Sequence, residues 1–378
     1  MIKNFIMKPV PIIPAIISIV LLLSTTPSCF AQETFSKYLG RDWSGSIGLE
    51  PNHLILCHTI RFGLWENIDG FVYHKLDYNG NYVESREFST YNTLGFGMQH
   101  GRFARSLSSG GQCFLFGNNE TIGNVLRRSV RMFRTNSVGD IIWNRRIKFS
   151  DYDHEIDYLF PNNFSISVMG GYYIYATHEE MDGTTVIGRS PMIMKIDDDG
   201  NLTWSRILSV PTACGWRGSS SEVENGDIMM GFSTSPNCTL YQQTPYVCRM
   251  DSVGTVIWSK KIDGCTATLT GYVKLVDGHL FLGSSPAGLL CFLVDDQGNV
   301  SWAKILSFDG WNIVQTPLVT GTSDGGYAAL MWVAQGQSSD LLLLKMNATH
   351  EIVWADHFAV DGTSQSPIHI IKPLIVHC

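Results

Sequence analysis

Charge is scarce in this sequence. Asp, Glu, Lys and Arg make up 16% of its 378 residues, and acids outnumber bases 34 to 27, for a formal net charge of −7. Such a chain has no excess of cations to neutralise phosphates, so nucleic acid is not an expected partner. An anionic membrane surface is disfavoured on the same ground. No Cys-x-x-Cys pair occurs and zinc-site spacings are missing, which removes the usual structural zinc modules. His-Glu-x-x-His and phosphate-loop strings are missing too, and with them the chemistries they carry. Helical periodicity is almost absent, which leaves strands to build the fold. The apolar run Val10 to Leu23 has 14 residues and contains Pro11 and Pro14. A spanning helix needs about 20, and no later stretch is longer, so no transmembrane segment is expected.

What is present begins with a leader. Lys3 and Lys8 precede the apolar run, and small residues lead to Ala31. This order reads as a signal peptide over residues 1–31, with lipidation at Cys29 as a variant. An exported protein is expected, periplasmic, outer-surface or secreted, with residues 32–378 as one domain. Its net charge is −9, because the leader holds two lysines and no acid. Of the eight later cysteines, Cys57, Cys113, Cys248 and Cys291 lie in apolar runs and read as buried thiols. Cys214, Cys238 and Cys265 lie in loop-like sequence and are the disulfide candidates.

Six segments then align. Their shared pattern is apolar, Asp or Asn, two residues, Gly, x, apolar, x, Trp. The turn position is Gly80, Gly139, Gly200, Gly254 and Gly298, with His350 in the sixth copy, at intervals of 59, 61, 54, 44 and 52 residues. Four residues on stand Trp143, Trp204, Trp258, Trp302 and Trp354; Glu84 takes that place in the first copy. The pattern is a β-hairpin: Asp caps backbone groups, Gly takes positive φ, and the next strand alternates. Trp in one register suits packing between sheets, with an indole N–H that seeks a partner. Before each hairpin lies a Gly- or Asp-rich turn and a short apolar strand, as in Asp324-Gly325-Gly326-Tyr327-Ala328-Ala329-Leu330, and a further strand before that.

Four strands per repeat predict an all-β fold, a β-propeller of four-stranded blades. The strand-like Phe35–Gly40 has no turn before it, and Ile368 to Cys378 reads as the start of another blade. Seven blades, the last incomplete, are therefore expected, with six as the alternative.

Asp324-Gly325-Gly326-Tyr327, followed by Lys345-Met346-Asn347 and Ile352-Val353-Trp354, resembles the exported repeat propellers of Bacteroidetes-type bacteria over nearly the whole mature chain. The Asp-x-x-Gly-x-x-x-Trp string is also similar to the tryptophan-docking repeat of quinoprotein (PQQ-dependent) dehydrogenases, in which the Asp-to-Gly gap is usually one residue longer. The resemblance implies a quinoprotein-like propeller superfold and export. It does not imply a cofactor, and none is expected.

Five of the ten tryptophans stand outside the register, and three of them share a kind of place. Trp43, Trp216 and Trp311 lie in sequence leading toward the first strand of a blade, and as a set they form a candidate stacking platform for a glycan, a peptide or a protein. Asp309 neighbours Trp311. Asp153, in the acidic stretch Asp151 to Asp157, faces the same way and is the candidate for calcium; the alternative is a solvated acidic loop. Asp197-Asp198-Asp199 and Asp295-Asp296 read as turn chemistry rather than cation loops. The reading is a monomeric exported propeller with a binding or scaffolding role; the alternative is a propeller enzyme, either an oxidoreductase or a glycan-acting hydrolase.

Overall fold

The computed structural model describes the backbone of residues 45–374, apart from 51–52, 61–69, 77–81, 90–96, 108–109, 123–124, 148–157, 183–184, 209–213, 236–242, 337 and 359–369. The first sheet orders β1 (Gly45–Glu50), β2 (His53–Ile60), β3 (Gly70–Leu76) and β4 (Tyr82–Ser89) side by side. The second orders β5 (Gly97–Ser106), β6 (Gln112–Ile122), β7 (Val125–Thr135) and β8 (Ile141–Ile147). The third holds β9 (Tyr158–Ile166), β10 (Tyr172–Asp182), β11 (Thr185–Ile196) and β12 (Leu202–Ile207). The fourth holds β13 (Cys214–Glu222), β14 (Ile228–Ser235), β15 (Thr244–Met250) and β16 (Val256–Lys261), bridged to the third by Arg189 and Cys214. The fifth holds β17 (Thr268–Leu275), β18 (Gly278–Ser285), β19 (Gly288–Val294) and β20 (Val300–Phe308). The sixth holds β21 (Asn312–Gly321), β22 (Tyr327–Gln335), β23 (Ser338–Met346) and β24 (Ile352–Phe358).

Within each sheet every strand pairs antiparallel with the next in sequence. The first strands β1, β5, β9, β13, β17 and β21 pack against one another in that order. This is the architecture of a β-propeller: each sheet is a blade, its first strand innermost and its fourth at the rim.

Burial follows from this placement. Every residue of β14 and β19 is buried; these middle strands are covered on both faces by neighbouring blades and so read as continuous runs rather than alternations. The rim strand β8 alternates instead. Four apolar clusters fill successive seams, between blades two and three, three and four, four and five, and five and six. Each fully buried Leu, Ile, Met or Phe there contributes about 1.5–3 kcal/mol.

One expectation at the chain end is corrected. The strand in the C-terminal run, β25 (Ile370–Leu374), does not start a sheet of its own; it pairs antiparallel with β20. The rim strand of the fifth blade has nine residues, and β25 covers backbone groups that an edge strand otherwise leaves open. Phe35–Gly40, the other half of the expected seventh blade, lies outside the described residues.

Candidate functional site

A propeller blade has two ends, and the tryptophans divide between them. The turns joining first to second and third to fourth strands share one end, here the turn end. The opposite end carries the second-to-third turns and the links between blades, here the connection end.

At the turn end the repeat hairpin is held by its own Asp. Asp251 Oδ1 accepts from the N–H groups of Val253 (3.1 Å) and Thr255 (2.7 Å), and Asp295 Oδ1 from Gln297 (2.9 Å) and Asn299 (2.7 Å). Backbone N–H donation, chiefly by Thr255 and Asn299, holds both carboxyls below the usual carboxylate range. Asp197 is used in the same way by Asp199 and Asn201. These acids serve turns, as expected.

The register tryptophans tie blade to blade. Trp143 Nε1 donates to the Asp198 carbonyl (2.8 Å), Trp204 Nε1 to Ser252 (3.2 Å) and Trp258 Nε1 to Asp296 (3.0 Å). Each indole thus reaches the hairpin turn of the following blade and lies over its glycine. A Cβ at Gly200, Gly254 or Gly298 would start within about 3 Å of that ring. In the sixth blade His350 replaces glycine and its own ring meets Trp302, centroids 4.5 Å apart. Trp354 is half-buried. In the first blade, where Glu84 stands in place of Trp, Arg86 lies against Gly139 and reaches Asp140 at 3.5 Å. Gly80 lies outside the described residues.

The seam between blades four and five carries a dense polar network. Buried His279 has Nε2 at 2.8 Å from Asp296 Oδ1 and Nδ1 at 2.9 Å from Tyr272 Oη, with Lys274 Nζ at 3.4 Å. Arg249 from blade four donates to the Asp296 carbonyl (3.2 Å) and pairs with Asp227 (2.8 Å). Burial lowers the His279 pKa; Asp296 opposes this, and Lys274 and Arg249 add to it. A Tyr–His–Asp row is an acid–base arrangement in outline, but His279 has no exposed surface. No substrate reaches it, and its role is to brace the seam.

At the connection end, Trp216 is the third residue of β13, opposite Ser233 near the end of β14; it belongs to the innermost strand rather than to the link before it. Trp311 closes the tight turn between β20 and β21, bridging Phe308, and packs half-buried on the apolar cluster of blades five and six. Asp309, in the same turn, is exposed. The structure therefore brings Trp216 and Trp311 to one end of the molecule, at the entries of the innermost strands of the fourth and sixth blades. Trp43 and Asp153 lie outside the described residues. Among the described residues no three His, Cys, Asp or Glu side chains gather to hold a metal, and no helix is long and apolar enough to cross a membrane.

Gly321-Thr322-Ser323-Asp324-Gly325 has the spacing of a hydrolase nucleophile elbow. It folds as a hairpin turn instead, with Thr322 N–H on the Gly326 carbonyl (2.9 Å) and strand β22 after it. An elbow needs a strand-to-helix turn. Cys113, Cys248 and Cys291 are buried thiols, and burial pushes Cys248 and Cys291 up to about 12. Cys265 is half-buried, its thiol 4.0 Å from the Ile262 carbonyl.

No protein-family profile matches the chain, and no curated protein matches it. Solved structures do. An α-L-arabinanase of Penicillium chrysogenum, complexed with arabinobiose, is similar at 14% identity and TM-score 0.54, over 83% of this chain and 95% of that one. A putative 6-phosphogluconolactonase from Bacteroides fragilis NCTC 9343 is similar at 12% identity and TM-score 0.52, over 86% of each chain. At this identity the likeness shows the fold, and the fold is a β-propeller.

Proposed function

We propose that this chain is an exported β-propeller that binds an oligosaccharide at its connection end. One observation carries the reading: four register tryptophans lie at one end, and Trp216 and Trp311 lie at the other. Trp143, Trp204, Trp258 and Trp302 build seams at the turn end, whereas Trp216 and Trp311 stand at the entries of inner strands at the other, where no repeat position calls for an indole. Aromatic faces stack on the C–H faces of sugar rings, and an indole N–H adds a polar handle. Trp311, seated on the core, is held in place before any ligand arrives, which lowers the ordering cost of binding. Asp309 is exposed beside Trp311 at this end; Trp43 and Asp153 remain the candidates that the sequence offers for the same ligand and for a cation. The leader-like residues 1–31 support export.

The test is titration calorimetry of the mature chain with arabino- and xylo-oligosaccharides, the first chosen because the structurally similar arabinanase holds arabinobiose. Trp43→Ala with Trp216→Ala, and Trp311→Phe as a milder third change, is expected to weaken binding at least tenfold without lowering the melting temperature. Unchanged affinity with all three replaced overturns the reading. Release of reducing sugar replaces it with a hydrolase at the same end.

A further inference from the structure

Single exposed valines recur at the turn end, as at Val138 and Val276, but one tip is apolar at both of its positions. The turn between first and second strands recurs with one hydrogen-bond pattern: Ser167 N–H to Gly171, Val223 N–H to Asp227 and Thr322 N–H to Gly326. The two residues at its tip are Glu224-Asn225 in blade four and Ser323-Asp324 in blade six, and Ser108-Ser109 hold the matching sequence positions in blade two. In blade three they are Val168-Met169, exposed by 82% and 71%. The hairpin tip of blade four adds a further exposed apolar residue. Val253 is 59% exposed, at a position held by Val138 in blade two and by Asp199, Gln297 and Thr349 in blades three, five and six.

The two tips adjoin. Met169 Cγ and Ser252 Cβ, next to Val253, both lie within 3.4 Å of the point where a Gly226 side chain would begin. The tip is also rigid. Glu222, at the end of β13, accepts from Ser167 Oγ (3.1 Å) and from the Val168 N–H (2.5 Å), fixing the loop of blade three to blade four.

The surroundings are acidic. Asp198 and Asp199 are exposed beside the tip, and the nearby cations are engaged: Arg249 by Asp227, and Lys195 by the Gly170 carbonyl (2.7 Å) and the Tyr173 ring (4.0 Å). An exposed apolar patch on a rigid acidic rim selects for an apolar side chain flanked by cations. A second copy of the same end brings like charge and is disfavoured.

We propose that Val168, Met169 and Val253 form a protein-docking surface for a basic segment that presents a large apolar side chain. It lies opposite the proposed sugar-binding end and does not depend on it.

The probe is a synthetic peptide, Lys-Lys-Leu-Phe-Lys-Lys, titrated by calorimetry into the mature chain, with a Glu-for-Lys peptide as control. Val168→Ser, Met169→Ser and Val253→Thr together install residues that the sibling turns already carry, so folding is expected to survive; unchanged circular dichroism and melting temperature check it. The expected result is binding of the basic peptide only, weakened at least tenfold by the triple change and untouched by Trp216→Ala. Equal binding to the triple variant reduces the interaction to general attraction by an acidic protein and overturns the proposal, as does failure of the peptide to bind.

Discussion

At Gly254 an added methyl would start 2.8 Å from Trp204 Cζ3, and the backbone there has φ +82°. Two demands therefore meet at one residue: a left-handed turn, and room for the indole of the preceding blade. Gly254→Ala is expected to destabilise by about 1–3 kcal/mol, combining backbone strain with the overpacking of a fixed ring. The shift of the urea midpoint at unchanged slope measures it, and a change below a few tenths of a kcal/mol counts against the double role. His350 shows how the rule is broken. It keeps the turn at φ 59°, places its own ring where the indole would otherwise meet glycine, and holds Asp277 through Nε2 at 3.1 Å. Stacking and a hydrogen bond offset the cost of a non-glycine left-handed residue.

At the scale of the element, the rim strands of the first five blades are each anchored to the following blade as well as to their own sheet. Blades four and five show this most fully, because Asp296 receives Trp258 and Arg249 on its carbonyl and His279 on its carboxylate. Since burial holds the His279 pKa below the ordinary 6.5, the unfolded chain takes up a proton there that the folded chain refuses. The sign follows: this residue's contribution is intact above about pH 6.5 and is lost as pH falls below it toward the depressed folded value. Urea unfolding between pH 7.5 and 5.5 is expected to show a loss of stability in the native chain that is smaller in His279→Gln. Equal slopes in the two chains would exclude a buried neutral imidazole. The strands themselves were legible from alternation and apolar runs, and the hairpins from Asp-x-x-Gly. The His279 network was not, because its members span residues 227 to 296 and share no periodicity.

Over the whole molecule, the inner strands pack in chain order and four seams fill with apolar side chains, while the rim of each blade is an edge. Strand β25 covers one of these edges. Removing residues 369–378 is expected to leave the far-ultraviolet circular dichroism nearly unchanged and to promote association of the chain, since the freed edge of β20 is a template for another strand. Light scattering over a concentration series measures this; a truncated chain that scatters like the full one shows that β25 is dispensable as a cover. The molecule also separates its two proposed surfaces, with sugar binding at the connection end and a docking patch at the turn end, so the two can be disabled independently.

The sequence by itself determined the blades: glycine at a positive φ, Asp caps, alternating rim strands and apolar middle strands are local demands, met within about ten residues of chain. It also separated the register tryptophans from Trp216 and Trp311. Only the tertiary structure decided which carbonyl each indole reaches, that β25 joins the fifth blade, and that the tips carrying Met169 and Ser252 adjoin. Those outcomes depend on how blades sit against one another, bringing together residues some 40–90 positions apart along the chain, a distance over which no local pattern carries information.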